Sequence, residues 1–293
     1  MLVSEKGAYT LIVRNDSDPS SPREDDNLGN MICFHRRYNL GDQHEFENPE
    51  EFLRNLVEQT VPDKAVVDYI LAGRSEGLEF QHNGGDEGWA LLFYDKHLDN
   101  WDVLESGLTI QRNEEEVAEL LVEEMDMKDL LALANEENCI LPLYLFDHSG
   151  LTMSIAPFGD RWDSGQVGWI YATKEDIEND FPDLSKDDRM DKAVDILRSE
   201  VETFDLYLRG ECYGFELLEN GITVDSCWGF LGDFKQACGA IEENLPDECT
   251  GMTSGLAEIP EKVSVLALLR EAKIKVSELP LLSGQPVRNA EAR

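Results

Sequence analysis

The sequence predicts an α+β fold in which hairpins build an antiparallel sheet and amphipathic helices cover one face of it. Strand patterns occur in pairs separated by turn residues, and helical patterns lie between these pairs. Hydrophobic residues make up 42% of the 293 residues, which is enough for a globular core. We predict an N-terminal α+β region at 1–110, a central α+β domain at 111–245, and a C-terminal helix with a loose tail at 246–293.

The chain begins with two predicted strands. Tyr9–Arg14 alternates apolar and polar residues, and Asn30–Arg36 has a second strand pattern. We expect these two strands to pair across residues 15–27. That connecting segment has no apolar residue to bury, so it predicts a mobile loop.

Two helices and a strand are expected next. Asn48 is placed to cap a helix and Pro49 suits its first position, so we predict a helix that continues to about Gln59. A second helix is expected over residues 62–73. After a glycine-rich segment, Trp89–Tyr94 predicts another strand.

An acidic amphipathic helix is predicted from Asn113 onward. Apolar residues at 117, 120, 121 and 125 keep helical spacing, while the opposite face is nearly all carboxylate. Like-charge neighbours cost helix stability, so the row indicates either a solvated acidic face or a surface that binds a basic partner. The residues that the partner hypothesis assigns to the contact are Glu114, Glu115, Glu116, Glu119, Glu123, Glu124 and Asp126.

The segment from 141 to 171 holds the densest set of chemically distinctive side chains. It predicts a hairpin with a polar turn at 147–150, a loop with a tryptophan at 162, and a third strand. If the turn folds against the loop, a set of side chains could converge there to ligate a metal or to act in acid–base chemistry. These are Asp147, His148, Asp160, Asp163 and His35. The same turn residues also suit a purely structural turn. The basic cluster at 35–37 is expected to pair internally with the excess carboxylates.

The remaining elements carry strong local signals. Thr173 predicts a helix start by its capping pattern, and residues 187–208 predict a long amphipathic helix. The Asn220-Gly221 pair predicts a hairpin over 213–230. A short helix is expected to end near Leu245, and residues 260–275 predict a last one.

The charge of the chain restricts its partners. It has 61 acidic and 25 basic residues, a formal net charge of −36. Such a field repels nucleic acid and anionic membranes, so direct binding to either is disfavoured. Three interpretations remain open: a surface that imitates the phosphate array of nucleic acid and binds a basic protein, adaptation to high salt, or solubility alone.

The cysteines and the hydropathy pattern predict a cytoplasmic protein. The six cysteines form no C-x-x-C pair, and most lie within apolar patterns. We expect free and mostly buried thiols. The first residues lack the apolar run of a signal peptide, and no window is long and apolar enough for a membrane span.

Several motifs resemble an uncharacterised family carried by bacteriophages, plasmids and other mobile elements. They are Asp147-His-Ser-Gly, Trp162-Asp-Ser-Gly-Gln-Val-Gly, Glu202-Thr-Phe-Asp-Leu-Tyr-Leu and Asp225-Ser-Cys-Trp-Gly-Phe, and residues 27–42 also resemble this group. The resemblance implies a mobile-element setting. It implies no catalytic residue and no cofactor.

Three function classes follow. The favoured hypothesis is an acidic accessory protein, a DNA mimic or anti-defence factor, that binds and inhibits or redirects a host protein with a basic surface. The first alternative is a metal-dependent enzyme that uses a divalent cation at Asp147, His148 and Asp163. The second is a structural or scaffold protein. Self-association into a homo-oligomer is left open by the sequence.

Overall fold

A computed structural model describes residues 1–83, 88–110, 113–160 and 162–258. Over these residues the chain has a mixed α+β fold with three antiparallel sheets, so the predicted class is confirmed. The strands are β1 Leu2–Lys6, β2 Tyr9–Asn15, β3 Asn30–Cys33, β4 Leu78–His82, β5 Trp89–Asp95, β6 Asn100–Leu108, β7 Asn138–Asp147, β8 Leu151–Ser154, β9 Ser164–Thr173, β10 Cys212–Glu219, β11 Ile222–Leu231 and β12 Ala257–Glu258. The α-helices are α1 Pro49–Thr60, α2 Asp63–Leu71, α3 Glu114–Glu124, α4 Met127–Glu137, α5 Lys174–Asp180, α6 Lys186–Leu208 and α7 Phe234–Asn244.

The described residues divide into two compact units, one of residues 1–20 and 210–258 and the other of residues 21–209. The predicted boundaries at 110 and 245 do not coincide with this division. The reason is a long-range pairing: β2 lies antiparallel to β10, which joins the first strands of the chain to the late hairpin.

The first unit is built on a five-stranded sheet in the order β11-β10-β2-β1-β12. The predicted hairpin turn is confirmed, because Asn220 and Gly221 adopt φ values of 49° and 80°. α7 packs on one face of the sheet, where Ile241 joins a buried cluster with Leu11 and Phe215. Residues 247–258, which were expected to be a loose tail, form two 3-10 turns and β12. The helix predicted at 260–275 lies outside the described residues.

The expected pairing of the first two strands is wrong. β2 belongs to the sheet of the first unit, whereas β3 pairs with β9 in the second unit. β9 is long and apolar, and pairing with it buries the Met31 and Ile32 side chains. Burial against a central strand therefore decided the partner of β3.

The second unit contains a four-stranded sheet, β3-β9-β7-β8, with helices on both faces. Alternate side chains of a strand point to opposite faces, so β9 contributes to two cores. Ile170 packs with Leu197 of α6, while Trp169 packs with Phe52 of α1. The prediction placed helices on one face, and here the second face is covered by α1 and α4. A three-stranded sheet, β4-β5-β6, completes this unit.

A buried ion cluster anchors the segment that was expected to be a mobile loop. The Arg23 side chain is 5% exposed, and its guanidinium donates to Asp42 Oδ1 at 2.9 Å and Glu200 Oε2 at 2.8 Å. The Asp42 carboxylate also accepts from the Met31 amide at 2.7 Å. Glu200 accepts from the Leu28 amide at 2.9 Å. These contacts fix residues 22–42 on α6.

The predicted acidic helix is interrupted. It divides into α3 and α4 because the Asp126 carboxylate accepts from the amides of Lys128 and Asp129, both at 3.1 Å, and so begins a new helix. The cap predicted at Asn48 is confirmed at the start of α1, where its side chain accepts from Glu51. Among the helices of the described ranges, none combines the length and apolar character that a membrane crossing requires.

Candidate functional site

An open groove of about 640 Å³ runs between α1, α2 and α3. Its lining residues are Arg54, Val57, Glu58, Val61, Asp63, Val66, Glu115, Ala118, Glu119, Val122 and Glu123. Five of these residues are carboxylates and one is a cation. We call this feature the acidic groove.

The amphipathic pattern of α3 aligns the carboxylates along the acidic groove. Val117, Leu121 and Val122 are buried, which turns the opposite side of the helix to solvent. Glu115, Glu119 and Glu123 are four residues apart and therefore lie one above another, about 6 Å from one to the next. The row follows the groove for two helical turns.

Arg54, the one cation that the described residues contribute to the groove lining, does not neutralise this row. Arg54 donates to the backbone oxygens of Val122 and Glu123 at 3.1 and 2.9 Å, and it pairs with Glu50 at 2.8 Å. The guanidinium thus satisfies free carbonyls at the end of α3. Nearby Lys64 pairs with Asp68.

The groove carboxylates are exposed and unpaired. Within the part of the chain that the structure describes, the side chains of Glu115, Glu119 and Glu123 make no hydrogen bond or ion pair. The same holds for the Glu58 side chain from α1 and the Asp63 side chain from α2. Five negative charges therefore face one open space, and none of them has an ion-pair partner among the described residues.

The structure separates the seven predicted partner-binding residues into groups. All seven are exposed, but only three of them line the acidic groove. Glu116 accepts from the Asn113 side chain at 2.6 Å. Asp126 caps α4 and lies 3.6 Å from Lys96, while Glu114 and Glu124 lie outside the groove lining.

Two groove residues were missed by sequence reasoning. Glu58 and Asp63 are separated from α3 by about fifty residues of chain, and only the packing of α1 and α2 against α3 brings them to the row. In the sequence, the polar pattern of α1 indicates only that Glu58 lies on a solvent-facing side of that helix. The pattern does not indicate which other helix packs next to that side.

The second candidate region is the turn at 147–150 with the loop that carries Trp162. The turn does fold against the loop: the Asp147 amide donates to the Asp163 carbonyl at 2.8 Å, and His148 Nδ1 lies 2.9 Å from Asp163 Oδ2. The Asp147 carboxylate is paired with Arg37, which agrees with the expected internal pairing of the basic cluster.

The other candidate ligands of this region also have partners. Asp160 accepts from the amides of Trp162 and Asp163 at 2.7 and 3.0 Å, and these backbone hydrogen bonds lower the pKa of the Asp160 carboxyl. His35 Nδ1 accepts from the amides of Arg37 and Tyr38 at 3.4 and 3.3 Å.

No group of three histidine, cysteine, aspartate or glutamate side chains is arranged to hold a metal ion in the described ranges. The Asp147 carboxylate is paired with Arg37, and Asp160 Oδ1 accepts from two backbone amides. Ser149 at the turn has a φ of 63°, a conformation typical of a tight turn. The contacts therefore account for this turn without a bound ion.

The cysteines offer one accessible thiol. All six are free, and four are buried, as predicted. Burial raises the pKa of Cys33 to about 12 and the pKa of Cys139 to about 11, so neither is poised as a thiolate. Cys227 on β11 is exposed.

Comparison with protein-family models, with curated proteins and with solved structures finds no match to this chain.

Proposed function

We propose that this chain is an acidic accessory protein that binds a basic surface of another protein through the acidic groove. The observation that carries the proposal is the row of exposed, unpaired carboxylates on α3, which Glu58 and Asp63 extend from two other helices. Fold stability does not require this arrangement, because like charges four residues apart weaken a helix.

The groove suits arginine and lysine side chains. Each carboxylate of the groove can accept two hydrogen bonds from one guanidinium, and such charge-assisted hydrogen bonds are roughly twice as strong as neutral ones. A regular spacing of negative charge also resembles the repeated phosphates that a nucleic-acid-binding protein recognises. A nucleic-acid or defence enzyme of the host is therefore the class of partner that fits best.

The motif resemblance supports a setting for this activity. If the chain belongs to a virus or mobile element, it acts in the cytosol of the host cell, where such enzymes work. Occupying their basic surface would inhibit or redirect them.

A charge-removal variant tests the proposal. In the triple variant Glu115→Gln, Glu119→Gln and Glu123→Gln, side-chain size is kept and three charges are lost. The matched control removes three exposed, unpaired acids from α6: Asp187→Asn, Asp191→Asn and Glu202→Gln. Both variants and the native protein would be used to capture partners from bacterial lysate, with washes at low and high salt.

We expect the native protein and the α6 control to capture the same basic protein and to release it at high salt, because screening weakens contacts between exposed charges. The triple variant of the groove should no longer capture that protein. Capture of the same protein by the groove variant would contradict the proposed surface.

The two alternatives make different predictions. A metal-dependent enzyme at Asp147, His148 and Asp163 predicts a stoichiometric divalent ion and an activity that Asp163→Asn abolishes without unfolding. It has less support, because the Asp147 carboxylate is paired with Arg37, and the His148 and Asp163 side chains contact each other. A scaffold protein predicts large symmetric assemblies, which light scattering would detect.

A further inference from the structure

A second cleft, of about 350 Å³, lies between the basic cluster at 35–37 and the loop that carries Trp162. Arg36, Arg37, Asp147, Trp162 and Asp163 are among its lining residues. We call it the Trp162 cleft. Its volume is within the range of small-molecule sites.

One cation of the Trp162 cleft has no carboxylate partner among the described residues. Asp147 is paired with Arg37, while Asp163 Oδ2 lies 2.9 Å from His148 Nδ1. Arg36 is exposed, and over the described residues its guanidinium has no hydrogen bond or ion pair. In a chain with a net charge of −36, an arginine that lines a cleft and has no carboxylate partner is unusual.

A second donor belongs to the same lining. His35 Nδ1 accepts from the amides of Arg37 and Tyr38, which leaves Nε2 as the ring nitrogen that can donate. His35 also lines the cleft. Within the described part of the chain, neither the Arg36 guanidinium nor His35 Nε2 has a hydrogen-bond partner, so both can donate to an anion.

Trp162 adds an aromatic surface. Its side chain is 94% exposed, the largest exposure of any large hydrophobic residue in the described ranges. The backbone beneath it is held, because the Trp162 amide donates to Asp160 at 2.7 Å and Ser164 donates to the Asp160 carbonyl. The indole is therefore presented from a defined turn, and its faces are available for stacking.

We propose that the Trp162 cleft binds a small anion that carries a planar ring, of the chemical class of a nucleoside monophosphate. The anion is held by Arg36 and His35, and the ring stacks on Trp162. A mononucleotide is favoured over a nucleic acid strand, because each further phosphate is repelled by the charge of the whole protein. The site is independent of the acidic groove.

Titration calorimetry with adenosine and uridine monophosphates, and with inorganic phosphate, tests this proposal. We expect both nucleotides to bind at millimolar concentration or better, and phosphate alone to bind at least about tenfold more weakly, because it lacks the stacked ring. Equal binding of phosphate and nucleotide would overturn the role of Trp162. Absence of nucleotide binding at millimolar concentration would overturn the site.

Substitutions test which residues of the Trp162 cleft bind the nucleotide. Arg36→Gln and Trp162→Ala should each weaken nucleotide binding roughly tenfold or more. The matched controls are Arg198→Gln, which removes an exposed cation from α6, and Trp101→Ala, which removes an exposed indole from β6. All four positions are exposed, so folding should be kept, and circular dichroism would check it. Unchanged binding in both cleft variants would disprove the assignment.

Two further measurements define the ligand class and separate this site from the proposed function. A single-stranded oligonucleotide that binds more tightly than the mononucleotides would contradict the choice of a small ligand. The groove variant with Glu115→Gln, Glu119→Gln and Glu123→Gln should bind nucleotides as the native protein does. Loss of nucleotide binding in that variant would show that the two sites are not independent.

Discussion

The acidic groove and the buried ion cluster of Arg23, Asp42 and Glu200, here called the Arg23 cluster, contain the same types of side chain but differ in burial and pairing. In the Arg23 cluster, two carboxylates and one guanidinium are largely withdrawn from water, and each charge has several partners at 2.7–2.9 Å. In the groove, Glu115, Glu119 and Glu123 are exposed and have no partner in the described part of the chain. Paired and buried carboxylates organise the fold, whereas unpaired and exposed carboxylates remain available to another molecule.

The largest effect is expected where the buried cluster is broken. Arg23→Met removes the cation and leaves Asp42 and Glu200 as uncompensated charges, which should lower the free energy of unfolding by about 3–5 kcal/mol. Urea denaturation of the native and variant proteins measures this difference. Arg198→Gln, at an exposed pair on α6, is the control and should change stability by less than about 1 kcal/mol.

A smaller loss is expected at the acidic side of the same cluster. Glu200→Gln keeps an oxygen for the Leu28 and Gly29 amides and weakens the contact with Arg23, so the expected cost is about 1–3 kcal/mol. The same denaturation experiment applies. A loss as large as that of Arg23→Met would show that the charge of Glu200, and not its contacts with the backbone amides, dominates.

The groove variant should be more stable than the native protein, whereas the two variants of the Arg23 cluster should be less stable. Replacing Glu115, Glu119 and Glu123 by glutamine removes two like-charge contacts along α3 and should raise stability by about 0.2–0.5 kcal/mol per contact. The gain should shrink at high salt, because screening already weakens the repulsion. A clear loss of stability would mean that the row supports the fold, and it would weaken the proposed binding role.

The smallest expected effect concerns pH. Burial raises the pKa of Glu242, but hydrogen bonds from Thr253 and from the Gly251 amide lower it more, so the folded value lies below the ordinary 4.5. Its contribution to stability is therefore complete above pH 4.5 and is lost as the pH falls through the folded value.

Glu242→Gln tests this assignment. The variant should have a lower melting temperature than the native protein at pH 7, and the difference should narrow below pH 4.5. A difference that stays constant with pH would show that the size of the side chain, and not its charge, holds residues 251–253.

Much of the local structure was predictable because its signals lie within a few residues of one another. The caps at Asn48 and Thr173 and the turn at Asn220-Gly221 were all confirmed. The burial pattern of α3 was also predictable, since it depends only on the spacing along one helix. The end of α3 was not predictable. The apolar pattern continues past it, and only the structure shows that Asp126 caps a new helix at this point.

The candidate sites were predictable only in part. The sequence identified the acids of α3, and it left open whether the 147–150 turn folds against the Trp162 loop. It did not identify Glu58 and Asp63 as groove residues, or Arg36 as an unpaired cation. Each of these depends on which residues of distant segments come close and on which are already paired.

The sequence by itself determined the α+β class, the excess of negative charge, the acidic face of α3 and most helix and turn boundaries, because these follow from composition and from contacts between near neighbours. Tertiary structure decided the pairing of β2 with β10, the burial of Arg23 between Asp42 and Glu200, and the convergence of three helices on one groove. Such choices depend on the burial of apolar surface and on the pairing of charges between segments far apart in the chain, which no local pattern specifies.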